Sequence, residues 1–324
     1  MKNLEVKTNE AGQRADKFLM KYMNSAPKGF IYKMIRKKRI KLNGGRLSGR
    51  EILSPGDVFT LYLAEETLET FIEERGFCEY KVRFSVIYED ENILVINKPA
   101  GLITHPQKPG EDSLSGELLT YLYQKGEYEP DRENTFVPAP ANRLDRNTGG
   151  LVFAGKNLPA QQELARVFRE GKIDKFYITL VKGEIREGGI LSGIISKDER
   201  KNKSLITQKG QGKEVKTGYR PLETGGGFTL LEIRLYTGKS HQIRAHMLSA
   251  GHPVAGDKKY GDPKINKLMK ETYGLNHQFL FAKRICWNGQ EGRLGYLDGK
   301  VFEAPMPSAL NNICNDLFGE RSGL

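Results

Sequence analysis

Asn142-Arg143-Leu144-Asp145-Arg146-Asn147-Thr148-Gly149-Gly150-Leu151-Val152-Phe153 places one ionisable carboxylate between two arginines and runs directly into an apolar segment. Asn147 to Gly150 has turn composition, and Leu151 to Ala154 reads as a buried strand. Chemistry at a fixed anion needs such a layout: a rigid strand to carry the loop, and cations to keep the carboxylate charged. A plainer reading also fits, in which Asp145 caps its own turn. On this stretch alone both stay open.

Hairpins and helices lie on either side of it. Upstream, Arg83 to Asn97 reads as a hairpin with Glu89-Asp90-Glu91-Asn92 at its tip, and Ile93 to Ile96 is apolar on both faces, as a central strand would be. Asp112 or Ser113 caps a helix carrying Leu114, Leu118, Leu119 and Leu122. Downstream, Asn157-Leu158-Pro159 opens a helix that Gly171 ends. Strands follow at Phe176 to Val181, Lys203 to Thr207, Val215 to Arg220 and Phe228 to Tyr236. Ser240 is placed to cap a helix from His241 to Ala250, with Gly251 as its stop. Phe279 to Trp287 reads as a strand and Ser308 to Phe318 as an amphipathic helix. Hairpins mixed with helices, rather than strict alternation, predict an α+β fold with a largely antiparallel sheet.

The N-terminal stretch differs in charge. Of the net +11 on 324 residues, positions 1–63 carry +9 and the remainder +2. Arg14 to Met23 and Lys28 to Lys38 read as helices. Arg36, Lys37, Lys38 and Arg39 crowd the end of the second, more cations than a helix dipole requires. A strand at Ile40 to Leu42, the turn Asn43-Gly44-Gly45 and a strand at Val58 to Leu63 complete this unit. So concentrated a positive field attracts polyanions. Positions 64–80 hold six acids and one base, the composition of an acidic linker or of a solvated helix face. The domain expectation is therefore 1–63, a linker at 64–80, and a main domain at 81–324.

Composition narrows the classes further. Cys78, Cys286 and Cys314 are scattered, with no zinc spacing and no disulfide framework, which fits a reducing cytoplasm. No run reaches the ~18 apolar residues of a membrane span, and the first residues lack a signal-peptide core. Gly225-Gly226-Gly227 lies between strands without a following Gly-Lys-Ser/Thr, so it is no nucleotide loop. His241 and His246 are five apart, off a common helix face, so no metal is expected.

Ordered motifs resolve what the opening stretch leaves open. Asn97-Lys98-Pro99-Ala100-Gly101-Leu102 with His105-Pro106 comes first, then Arg143-Leu144-Asp145 with Thr148 and Gly150. Lys175-Phe176-Tyr177 and Val181-Lys182-Gly183 follow. Thr237-Gly238-Lys239-Ser240-His241-Gln242-Ile243-Arg244-Ala245-His246 precedes Gly256-Asp257 and Tyr260-Gly261. Together, from about Arg14 to Pro305, they resemble the RluA-type pseudouridine synthases. The helix, helix, hairpin unit at the N-terminus resembles the S4 RNA-binding domain. Asn142 stands where the family usually has His, and Gly149 where it usually has Ser.

The resemblance implies the pseudouridine synthase catalytic fold, a bent mixed sheet with its cleft across the middle. It implies Asp145 as the catalytic carboxylate, Arg244 as its ion-pair partner and Tyr177 as the aromatic that lies on the target ring. A free aspartic acid has a pKa of about 3.9; a closed cleft raises it, and an arginine within roughly 4–6 Å lowers it by roughly 1–3. A phenol near pKa 10 is a poor base, so stacking is Tyr177's safer role. The target base must leave its stack, and Arg143 is the candidate to fill the gap; a salt bridge supporting the loop is its alternative. RNA contacts are expected at Arg36, Lys37, Lys38, Arg39, Lys41, Asn43 and His241. Lys98, Pro99, Gly101 and His105 are expected to form a turn that supports the Asp145 loop.

Isomerising uridine is redox-neutral and loses no group, so no cofactor is expected. The expected partner is RNA, chiefly 23S-type ribosomal RNA or a pre-ribosome, with tRNA as the alternative, and the chain is expected to act as a monomer. A non-catalytic RNA-binding or assembly factor is the rival from another class. A glycosidase would need two paired acids, and only one stands in a motif here.

Overall fold

The structure, a computed structural model, describes all residues except 74–75, 131–133, 199–202, 208–209, 290 and 320–324. The N-terminal segment builds a sheet and core of its own. Strand β1 (Lys2–Glu5) is followed by helices α1 (Ala15–Tyr22) and α2 (Lys28–Arg36), then by β2 (Ile40–Leu42), β3 (Gly45–Arg46) and β4 (Val58–Leu61). The antiparallel order is β1-β4-β2-β3. Phe18, Leu19, Ile31 and Ile35 of the two helices meet Phe59 and Leu61 in one buried cluster. Helix α2 stops at Arg36, two residues before the expected end, because Lys38 turns to φ 57° and the Arg39 amide returns to the Met34 carbonyl at 2.9 Å. Strand β1 went unread in the sequence; its four residues are short and largely exposed, with only Leu4 buried.

The acidic stretch 64–80 does not begin as a linker. Helix α3 (Glu65–Phe71) buries Leu68 in the N-terminal core and packs Phe71 there, while its acids face solvent. Of the two readings of this charge run, the helix face holds for its first half; residues 74–75 lie outside the described residues. Nor is the basic unit merely tethered. Buried Glu10 accepts hydrogen bonds from the Thr135 amide and, at 2.9 Å, from the Thr135 hydroxyl, and Leu158 N–H donates to the Asn9 carbonyl at 2.9 Å.

The remainder forms a second sheet of eleven strands. In chain order the elements are β5 (Ser85–Glu89), β6 (Ile93–Lys98), α4 (Leu114–Gln124), β7 (Ala139–Pro140), β8 (Gly149–Gly155), α5 (Leu158–Glu170) and β9 (Ile173–Lys182). Then come β10 (Gly189–Asp198), β11 (Lys203–Thr207), β12 (Lys213–Gly225), β13 (Phe228–Leu235), α6 (Gln242–Ser249) and α7 (Pro263–Tyr273). The chain closes with β14 (Leu280–Trp287), β15 (Val301–Glu303) and α8 (Ser308–Phe318). The strand order is β11-β10-β12-β13-β9-β14-β8-β6-β5, with β15 on β14 and β7 on β8. Among the named strands of this sheet every pairing is antiparallel except β14 with β8. The fold is α+β with a mixed, largely antiparallel sheet, as expected.

Strands β6 and β8 are buried on both faces. Val95, Leu151 and Phe153 pack toward α5 and α8, and Leu94, Ile96 and Val152 pack toward α4. Ser113, not Asp112, caps α4 through the Gly116 amide, and Asn157 caps α5 as read. The parallel junction of β14 and β8 is tight. Gly150 sits at φ 112°, and a Cβ there would lie 2.2 Å from the Ala282 carbonyl oxygen. Gly150→Ala combines a left-handed backbone with a backbone clash, so a loss of roughly 3 kcal/mol or more is expected. The midpoint of urea unfolding measures it; a midpoint equal to wild type would contradict this account of the junction.

Candidate active site

A cleft of about 380 Å³ opens at that junction. It is lined by the loop before β8 (Asn142 to Asp145), by Tyr177 and Lys175 of β9, by Gly238 to His241, and by Ile243 and Arg244 of α6. The segment after β6 holds the Asp145 loop in place. Lys98, fully buried, donates from Nζ to the carbonyls of Pro99 (3.0 Å), Leu102 (2.7 Å) and Arg146 (3.1 Å). Gly101 N–H donates to the same Arg146 carbonyl at 2.9 Å. The Thr104 hydroxyl donates to the Leu144 carbonyl at 2.9 Å and accepts from the Leu144 amide at 3.2 Å. The expected supporting turn is thus built around a buried ammonium. Burial pushes Lys98 down to about 7, against the upward pull of Asp145 and Glu117.

Asn142 anchors the other side of the loop. Its side-chain amide accepts from Phe153 N–H at 2.8 Å and donates to the Leu151 carbonyl at 3.3 Å, so it acts as one more strand residue beside β8. An imidazole there would present a different donor and acceptor set, and the amide carries both roles here.

Neither arginine flanking Asp145 neutralises it. Arg146 turns away to Glu111 at 3.0 Å. Arg143 is exposed at the cleft and, among the described residues, makes no ion pair, so the loop-supporting salt bridge is not formed. The partner is Arg244, whose Nη1 donates to Asp145 Oδ2 at 2.9 Å. Arg244 is itself held from behind: Nε and Nη2 donate to the two oxygens of fully buried Asp257 at 2.6 and 2.8 Å. Its guanidinium lies 4.9 Å from the Tyr260 ring centroid. Burial alone would lower the Arg244 pKa, but the two carboxylates hold it above its ordinary value. Burial would raise that of Asp257, but Arg244 and the amides of Lys259 and Tyr260 hold it below the usual range. One fork thus presents a fixed N–H to a carboxylate that is 28% exposed and reachable from the cleft.

Tyr177 lines the same cleft. Burial first, and then the negative charge of Asp145, push its phenol above its ordinary value, so it stays neutral. His241 stands at the αL position before α6 (φ 58°), its Nε2 3.8 Å from Asp145 Oδ2 and its Nδ1 2.9 Å from the Tyr260 hydroxyl. Burial lowers its pKa, favouring the neutral ring. Ser240 does not cap α6, which starts without a side-chain cap; the Gln242 side chain instead accepts from Lys239 N–H at 3.1 Å and fixes the turn before the helix. His246 is buried away from the cleft, with Nδ1 2.8 Å from the Thr217 hydroxyl. Among the described residues no cluster of His, Cys, Asp or Glu could hold a metal ion.

The N-terminal cations are not among the residues that line this cleft. Arg36, Lys37, Lys38 and Arg39 are exposed and, among the described residues, form no ion pair. Lys41 lies over the exposed Tyr62 ring, 5.4 Å from its centroid. The Asn43 side chain ties its turn to the start of β4, donating to Asp57 at 2.8 Å and accepting from Val58 N–H at 2.8 Å.

Residues 92–249, from the start of β6 to the end of α6, match the RNA pseudouridylate synthase family. The chain is 30% identical over 286 residues to the ribosomal large subunit pseudouridine synthase C of Vibrio vulnificus, covering 87% of both chains. The chain belongs to this family. An uncharacterized RNA pseudouridine synthase of Aquifex aeolicus is 34% identical over 278 residues, 84% of each chain. The human RNA pseudouridylate synthase domain containing 4 shares the fold, with a TM-score of 0.55 over 70% of this chain and 92% of its own, at 19% identity. Within the family frame, Asp257 and Tyr260 are the residues whose part sequence reasoning missed. They stood in the motifs Gly256-Asp257 and Tyr260-Gly261, but nothing in their spacing showed that one guanidinium would be shared with Asp145. Among the described residues, no helix is long and apolar enough to cross a membrane.

Proposed function

We propose that the protein converts uridine to pseudouridine in large-subunit ribosomal RNA, with Asp145 as the reacting carboxylate. The Arg244–Asp145 contact at 2.9 Å, backed by buried Asp257, carries this reading. A charged donor held rigid by a second carboxylate keeps Asp145 anionic and oriented without further reorganisation. In the reaction the C1′–N1 bond breaks and C1′ joins C5; the C5 proton is removed and N1 gains one. Asp145 serves as nucleophile or as base in the first step. Tyr177, neutral and beside it, supports the uracil ring by stacking. Arg143, exposed at the mouth, fills the gap left by the flipped base. His241, neutral and close to Asp145, contacts the RNA at the inner wall. The ribosomal target follows from the relatives whose names give it, among them that of Vibrio vulnificus.

The test is to incubate ribosomal RNA from a strain lacking the gene with the protein and map pseudouridine chemically. New pseudouridine in the large-subunit RNA is expected; modification confined to tRNA would move the target, and none on any RNA would sink the reading.

Residues 1–63 are proposed as an S4-like unit that holds the RNA through Arg36, Lys37, Lys38, Arg39 and Lys41, with Asn43 shaping the turn between them. Replacing the four consecutive cations by alanine should weaken binding and flatten its salt dependence, by about 0.7 in log-log slope for each single-strand phosphate no longer neutralised. An unchanged slope would leave the cluster as no more than a helix end.

A further inference from the structure

Lys175 is a charged motif residue at the cleft to which the reaction gives no task. It stands on β9 two residues before Tyr177, is only 9% exposed, and lines the same cavity. Among the described residues its ammonium makes no hydrogen bond and no ion pair. Its neighbour Asp174 is engaged elsewhere, 2.8 Å from Arg234. The Lys175 Nζ reaches the 237–239 loop, 4.0 Å from where a Cβ on Gly238 would stand. Lys239, whose charge acts on Lys175, and Arg169 of α5 also line the cavity, and both are exposed. Asp145 is the only acid among the residues that line the cavity, and Arg244 already faces it. The side chain is largely buried while its Nζ opens on the cleft, so an anion that arrives there with the ligand would gain a charged partner already held in place.

We propose that Lys175, flanked by Arg169 and Lys239, forms a phosphate subsite that takes a phosphodiester of the RNA strand next to the entering uridine. The inference rests on the uridine reading of the cleft and adds to it. The cavity would hold a nucleotide by its backbone as well as by its base, and charge-assisted contacts to the phosphate would position the sugar over Asp145. Burial lowers the Lys175 pKa, with Asp174 pulling it up and Lys239 pushing it down, and an incoming phosphate would raise it.

The test uses the uridine that wild-type protein converts in ribosomal RNA, set in a synthetic stem-loop. Two further versions carry one neutral methylphosphonate, on the 5′ or the 3′ side of that uridine. One of the two should weaken binding to wild type roughly tenfold. The same linkage should cost Lys175→Met almost nothing beyond the mutation itself, and Lys175→Arg should recover most of the wild-type penalty. If both neutral linkages cost Lys175→Met as much as wild type, the subsite is overturned. Should Lys175→Met fail to fold, Arg169→Ala with Lys239→Ala, both on the surface, gives the same comparison; an undiminished penalty there has the same meaning. Conversion of no uridine by wild type would remove the uridine reading and this inference together. Conversion with unchanged linkage penalties would remove the inference alone.

Discussion

Asp145→Asn should abolish uridine isomerisation while leaving the fold and RNA binding close to wild type. The substitution keeps size and shape and removes only the charge. The loop does not depend on that charge: Lys98, Gly101, Thr104 and Asn142 hold it through backbone groups. Arg244 keeps both bonds to Asp257, so no buried cation is left without a partner. An amide can neither attack the sugar or base nor take a proton, whichever route the first step follows. A fall of about ten-thousandfold or more is expected. It is measured as pseudouridine formed per unit time on the mapped ribosomal uridine, alongside the unfolding midpoint and RNA affinity. Activity within about tenfold of wild type would place the chemistry elsewhere.

How much of this could be read from the chain depends on the range of the forces. Apolar runs buried on both faces declare themselves, so β6 and β8 and the capped helices α4 and α5 were legible. Helix α7 was not read, although Asp262 caps it, Pro263 opens it and Gly274 ends it, because its apolar residues are few and only Met269 is buried. Strand β10 was missed for a related reason: it holds three glycines or serines near its start, and Ile190 is exposed, so no alternation marks it. At the site, the motif residues Asp145, Tyr177 and Arg244 do converge on one cleft. What local sequence suggested about them was partly wrong. Adjacent arginines looked like the partners of Asp145, yet the partner comes from 99 residues away. Backbone direction at a turn sends neighbouring side chains apart, so adjacency in sequence is weak evidence for an ion pair. The clamp by Asp257 and the amide bridge of Asn142 are tertiary, and no spacing rule exposes them.

That clamp sets up the second large effect. Asp257→Ala should lower stability by about 3 kcal/mol, because Nε and Nη2 of a guanidinium whose side chain is only 8% exposed lose their acceptors and Asp145 alone remains to face the charge. Arg244→Met should cost a similar amount by stranding the carboxylate of Asp257, which would keep only the amides of Lys259 and Tyr260. The double variant should be more stable than the two separate effects added together would give, since removing both charges leaves neither unpaired. Activity should not follow stability. With Asp257 gone, Arg244 is free to turn its fork onto Asp145, and without Arg244 the carboxylate loses its fixed donor, so all three variants should lose at least about a hundredfold in rate. Acid provides an independent check. The folded-state pKa of Asp257 is held below its unfolded value, so its stabilisation is full above about pH 4 and is lost as pH falls through the lower folded value. Asp257→Ala should therefore lose less stability than wild type between pH 4 and pH 2. If instead Asp257→Ala matches wild type in denaturant midpoint at neutral pH, Arg244 does not need its second carboxylate, and the geometry that orients Asp145 must have another source.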